Sequence, residues 1–235
     1  MAVGCTHGFL RDQKISSQVL AFKSVFKPKY SFDLGDLVDT TAFRSGAHGT
    51  KDEATPIDPD FLMCERWIQQ YEPTHITWGN HDHRLLELSE HPNAKLAWAA
   101  KCLWQILEKQ AKSVKAKTKL YEPLDQNWFE LGGTYWGHGS MYNESAVRDH
   151  AEYLGGPVVM AHLHAPQQVQ GRTRQWSPSF CVGTLAKIDE LKYASRRCAT
   201  SRWGHGVVWG YVSGNRSQLW LSSCRKGGNL GFPKM

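Results

Sequence analysis

Apolar runs long enough to cross a bilayer, about eighteen residues or more, are missing from this 235-residue sequence, and no basic stretch followed by a long apolar segment opens it. Neither membrane spanning nor secretion is indicated, and a cytoplasmic location is expected. Paired CxxC spacings are also missing. The cysteines at 5, 64, 102, 181, 198 and 224 are scattered, which reads as free thiols in a reducing compartment and argues against a disulfide framework or a zinc finger. There is no internal repeat, low-complexity segment or obvious linker. The whole of 1–235 is therefore expected to form one domain, and 41% apolar residues suffice for a sizeable core. Acidic charge is the scarcer sign: 28 Lys and Arg against 22 Asp and Glu give a net charge of +6, which favours anionic partners, and phosphate-bearing molecules fit.

What is present alternates between strand and helix patterns. Residues 1–4 read as a short strand, "VLAFKSVF" at 19–26 as a helix, and "YSFDLGD" at 30–36 as a strand ending in a turn, which together make a βαβ beginning. After a polar loop over about 41–57, "DPDFLMCERWIQQY" at 58–71 carries an aspartate cap before a helical pattern, and "THITWGNHD" at 74–82 is the next strand and turn. Residues 84–119 read mostly as helix, interrupted near His91-Pro92, with Lys109, Lys112, Lys115, Lys117 and Lys119 as a solvated face or a nucleic-acid contact. From 127 onward, short strands separated by glycine turns dominate, with one helix at 144–154.

The residues that carry chemistry sit after apolar strands, in five groups. These are Cys5-Thr6-His7, Gly35-Asp36-Leu37-Val38-Asp39, Gly79-Asn80-His81-Asp82, Gly137-His138-Gly139 and His162-Leu163-His164. Open α/β sheets gather ligands at the carboxyl ends of their strands, so the five groups can converge. Two divalent cations about 3.5 to 4 Å apart can clamp a phosphoryl group and activate a bridging water; they need a carboxylate that spans both ions, with neutral imidazole and amide ligands around them. Asp36 is the natural bridge.

The ordered set resembles the calcineurin-like metallophosphoesterase superfamily, whose pattern is DxH, GDxxD, GNHD or GNHE, a separate histidine, and GHxH; here it spans positions 5 to 164. Cys5 stands where the first aspartate is expected. The resemblance implies a four-layer α/β/β/α sandwich and a dinuclear centre of manganese, zinc or iron. One metal would take His7, Asp36, His164 and whatever position 5 provides, and the other Asp36, Asn80, His138 and His162. It also implies that His81 lies beside the phosphate to stabilise charge or protonate the leaving oxygen, that Asp39 orients His81 by a hydrogen bond, and that Asp82 fixes the loop. His205 has no counterpart in the pattern, and His83 either faces the site or the surface.

Thr40 follows Asp39 and Asp82 follows His81, whereas the serine/threonine phosphatases of the superfamily carry GDxxDR and GNHE. That branch is disfavoured, and the chain looks more like bacterial or phage-type phosphodiesterases and nuclease-related members. The expected substrate is a phosphodiester in a nucleotide, DNA or RNA. The alternatives are a phosphomonoesterase, or a catalytically weakened phosphate- or nucleic-acid-binding module. Arg172, Arg174, Arg196, Arg197 and Arg202 are either ordinary surface charge or contacts to the leaving group or a nucleic-acid backbone. Cys5 is either a thiolate ligand that favours zinc or iron over manganese, or a thiol beside a weak first site, leaving one firmly held metal.

Overall fold

The computed structural model describes residues 1–170, 177–191 and 198–233. Within them the chain is mixed α/β, with five helices and two mixed sheets. Strands β1 (Ala2–Val3), β2 (Phe32–Asp33), β3 (His75–Thr77) and β4 (Lys117–Lys119) run parallel to one another. The antiparallel pair β10 (His205–Ser213) and β11 (Arg216–Cys224) extends this sheet beyond β1. The second sheet has β6 (Thr134–Gly137), β7 (Val158–Met160) and β9 (Ser179–Cys181) parallel at its centre. Its edges are the antiparallel β5 (Phe129–Leu131) and β8 (Gln167–Val169).

Helix spacing decides what covers each sheet. Helix α1 (Gln13–Phe26) buries Ile15, Val19 and Phe22, α2 (Asp58–Tyr71) buries Phe61, Cys64, Trp67, Ile68 and Tyr71, and α4 (Ala94–Ser113) buries Ala100, Trp104, Leu107 and Ala111. These three- and four-residue steps make one apolar stripe per helix. The three stripes join α3 (Asn80–Leu88), Val3 and Ile76 in one core cluster. A second cluster joins Ala2, Phe32 and Val208 of the first sheet to Trp136, Val159 and Phe180 of the second, so the two sheets pack face to face. A third sets Val147 and Ala151 of α5 (Ala146–Leu154) against Val158, Met160 and Cys181.

Two local expectations change. Lys117–Lys119 is a strand, since it completes the hydrogen bonding along β3, and α4 ends at Ser113. No aspartate side chain caps α2; its cap is Ile57, while Asp60 turns inward. The five cysteines whose side chains are described are free thiols. No helix among the described residues is long and apolar enough to cross a membrane.

Candidate metal centre

The five sequence groups meet at the carboxyl ends of β1, β2, β3, β6 and β7. Two glycines permit the approach. A Cβ on Gly35 would lie 2.4 Å from the Gly79 nitrogen, and one on Gly79 would lie 2.2 Å from Asp36 Oδ1, so the GD and GN turns touch only because both lack side chains. Asp36 then accepts the His81 N–H at 3.0 Å through Oδ1, at the start of α3. Its Oδ2 faces the centre.

On one side of Asp36, His138 Nε2 lies 3.3 Å from Asp36 Oδ2, 3.1 Å from Asn80 Oδ1 and 3.2 Å from His162 Nδ1, and His162 Nδ1 lies 3.0 Å from Asn80 Oδ1. Donors about 2.1 Å from one ion stand about 3.0 Å apart in an octahedral set and about 3.4 Å apart in a tetrahedral one. The four atoms already have that spacing. His138 Nδ1 donates to the Leu34 carbonyl at 2.6 Å, which leaves Nε2 as the nitrogen that faces Asp36 Oδ2 and Asn80 Oδ1. Four acceptors facing one another need a positive charge among them, either a proton or a cation.

The other side is looser. His7 Nε2 meets His164 Nε2 at 3.1 Å but stands 3.8 Å from Asp36 Oδ2, and Cys5 Sγ stands 4.0 Å from the same oxygen. Cys5, His7, Asp36 and His164, all buried, each still bring one donor atom within 4.8 Å of the rest. His162 donates its main-chain N–H to Cys5 Sγ at 3.3 Å. The Cys5 carbonyl accepts from the Thr184 hydroxyl at 2.7 Å and from Leu185 N–H at 3.1 Å, which anchors this strand end.

Backbone strain collects at the same place. Cys5, His7, Asp36, His162 and His164 have φ of 53°, 49°, 54°, 66° and 56°, in the left-handed region that non-glycine residues rarely occupy. Each costs on the order of 1 kcal/mol or more and persists only where the surroundings enforce it. Such residues cluster at functional sites.

Electrostatics set the donor states. Burial pushes His81 down to about 4 and His162 down to about 3, and lowers His164 further, so these imidazoles are neutral near pH 7. Burial alone would raise Asp36, but His138, His81 and His7 outweigh it and keep the group an anion. Burial, then the charge of Asp36, holds the Cys5 thiol well above its ordinary range, so without a cation it stays protonated. Burial pulls His7 and His138 down, but Asp39 beside His7 and Asp36 beside both outweigh it and raise these two rings above the ordinary histidine value. Imidazoles around one carboxylate, with an amide oxygen beside them, form a donor set that could hold a transition-metal ion.

Asp39 departs from expectation in detail. Its carboxylate Oδ1 lies 2.9 Å from His7 Nδ1 and 3.4 Å from His81 Nδ1, while its main-chain carbonyl accepts from His81 Nδ1 at 2.8 Å. The side chain orients His7 and the backbone orients His81. Asp82 accepts the Leu37, Val38 and Gly79 N–H groups at 2.9, 3.1 and 2.9 Å, which ties the two turns together. The sequence reading passed over Asp60, which accepts the Asp39 and Thr40 N–H groups. It also passed over Asp33, which accepts Trp67 Nε1–H at 2.7 Å and Gly35 N–H at 3.2 Å. No spacing rule points to either contact, because each is made only when the turns fold together.

His205 is buried, with Nδ1 3.0 Å from the Thr184 carbonyl. His83 is buried on α3 outside the main group. The lysines divide between α4, the turn after it and β4; Lys117 begins β4 opposite His75, at the sheet edge away from the centre. Arg202 is exposed and pairs with Glu144 at 2.5 Å, and Arg172, Arg174, Arg196 and Arg197 lie outside the described residues.

Two cavities adjoin the centre. One, of about 330 Å³, is lined by Phe9, Leu10, Asp39, Thr41 and Arg44; the other, of about 340 Å³, by Tyr142, Leu163, Ala165, Gln167 and Trp203. The Trp203 ring lies 4.6 Å from that of His164. No protein-family model matches the chain, and no curated protein matches it in sequence, so the functional reading rests on the residues and their geometry.

Proposed function

We propose that this protein is a metal-dependent phosphoesterase of the calcineurin-like metallophosphoesterase type, acting on a phosphodiester in a nucleotide or nucleic acid. One observation carries the proposal: donor atoms from four other strand ends surround Asp36, with spacings of 3.0 to 3.3 Å on one side and 3.1 to 4.0 Å on the other. The order of the core clusters, helices on the first sheet, sheet on sheet, then α5 on the second, supports the four-layer α/β/β/α sandwich that this reading requires.

The centre would hold two ions: one on Cys5, His7, Asp36 and His164, the other on Asp36, Asn80, His138 and His162. Two such cations supply Lewis-acid activation of a water and neutralise phosphoryl charge. The protein does the rest. His81 presents Nε2 as its basic nitrogen, because Nδ1–H is committed to the Asp39 carbonyl. An anionic phosphate brought against that nitrogen favours the imidazolium, so the proton delivered to the leaving oxygen is taken up along with the substrate. The first main-chain N–H groups of α3 add partial positive charge on the same side.

A diester carries two organic groups and a monoester one. The cavity beside Asp39 and the cavity beside His164 offer each group a place, which favours the diester over the monoester. The test is turnover of bis-para-nitrophenyl phosphate and para-nitrophenyl phosphate with manganese, zinc or iron added. The proposal expects metal-dependent hydrolysis with the diester preferred. Inactivity on both and on single- and double-stranded DNA would leave the phosphate- or nucleic-acid-binding module as the reading.

A further inference from the structure

Outside the main centre, the side chain of one buried histidine makes no hydrogen bond among the described residues. The His83 side chain on α3 is only 10% exposed; its Nδ1 has no hydrogen-bond partner among the described residues, and its Nε2 faces Glu122 Oε2 at 3.8 Å, beyond hydrogen-bond reach. Nε2 makes no hydrogen bond among the described residues and is the nitrogen placed to take a ligand shared with Glu122. Glu87 lies four residues on, on the same face of the helix. His83, Glu87 and Glu122 each offer one donor atom within 4.8 Å of the others, and both carboxylates are exposed. Among the described residues, no lysine or arginine forms an ion pair with either carboxylate.

We propose that His83, Glu87 and Glu122 form a separate divalent-cation site, mononuclear and completed by water, that ties the segment after β4 to α3. One imidazole nitrogen and two carboxylate oxygens suit zinc or manganese, and one divalent cation balances the two carboxylate charges. Closing the 3.8 Å gap to the spacing of a coordinated pair takes a shift of about half an ångström, which the exposed Glu122 side chain can make. The site has a consequence for its neighbour. Tyr121, beside Glu122, lies with its ring 5.6 Å from that of His83 and 5.9 Å from that of His138, so a cation here holds Tyr121 against the main centre.

The test is zinc content of the full chain by equilibrium dialysis. The double variant Glu87→Gln/Glu122→Gln, isosteric and exposed at both positions, should bind one zinc equivalent fewer than the parent chain, with an unchanged circular dichroism spectrum. Asp36→Asn, which dismantles the main centre, should keep the equivalent that the glutamine pair removes. Equal zinc content in the glutamine variant and the parent overturns this proposal and leaves the main centre untouched. Zinc content that falls in the glutamine variant but not in Asp36→Asn upholds this site and counts against the main centre.

Discussion

The two sides of Asp36 are built from similar parts and differ in fit. Around His138, the donors stand at the separations of a coordinated set, and the ring is oriented by a main-chain carbonyl. Around His7, the separations to Asp36 are half an ångström longer or more, the orienting partner is the Asp39 carboxylate, and a thiol stands where the His138 side has the Asn80 amide oxygen. The side made of main-chain anchors is preformed; the side that contains Cys5 has room for a larger donor. A sulfur–metal bond of about 2.3 Å against about 2.1 Å for oxygen puts the sulfur and oxygen of a tetrahedral pair about 3.6 Å apart, closer to the observed 4.0 Å than any oxygen pair would be. The difference suggests that the Cys5 side is shaped for a thiolate and therefore for zinc or iron.

Asp36→Asn breaks both sides at once and should have the largest effect. An amide bridges two cations poorly, so activity should fall to background and metal content should drop on both sides; full turnover would remove the two-metal account. His81→Ala removes no member of either ligand set, although the His81 ring packs edge-on against that of His7. Metal content should survive while turnover falls by roughly two to four orders of magnitude, and metal loss in that variant would show His81 to be a ligand.

Cys5 sharpens the comparison itself. Cobalt-loaded protein should show a sulfur-to-metal charge-transfer band that Cys5→Ser removes without emptying the His138 side, and Cys5→Asp should move metal preference toward manganese. An unchanged spectrum and preference would mean that the thiol only fills space.

The smallest effect concerns stability in the metal-free protein. Burial, then the charge of Asp36, pushes Asp82 from 3.8 up to about 7. The folded state therefore binds a proton that the unfolded state has released between about pH 4 and pH 7, and this group's contribution to stability is lost as pH rises through that window. Asp82→Asn lacks the titration. The stability advantage of the parent over the variant should shrink from pH 4 to pH 7, by roughly a few kcal/mol at most, and a constant gap in thermal unfolding would contradict the assignment.

The candidate ligands could be read from the sequence because each is a side chain of distinctive chemistry just beyond a short apolar run. The helix over 58–71 was also legible, its buried residues repeating every three or four positions. What supports the ligands was not. Asp33 looks like an ordinary strand residue until Trp67 reaches it from α2, and Asp60 looks like part of a helix cap until the Asp39-Thr40 turn folds onto it. Lys117–Lys119 has a charged, helix-compatible composition, and only pairing with β3 makes it a strand. Asp39 carried two available partners, and the closer approach of His7 took the carboxylate. Local pattern names donors; tertiary approach assigns their partners.

Anomalous scattering from crystals soaked in zinc or manganese tests the central claim most directly. The account predicts two peaks about 3.5 to 4 Å apart on either side of Asp36 Oδ2, one among Cys5, His7 and His164 and the other among Asn80, His138 and His162. A single peak, or none, within reach of Asp36 would contradict it.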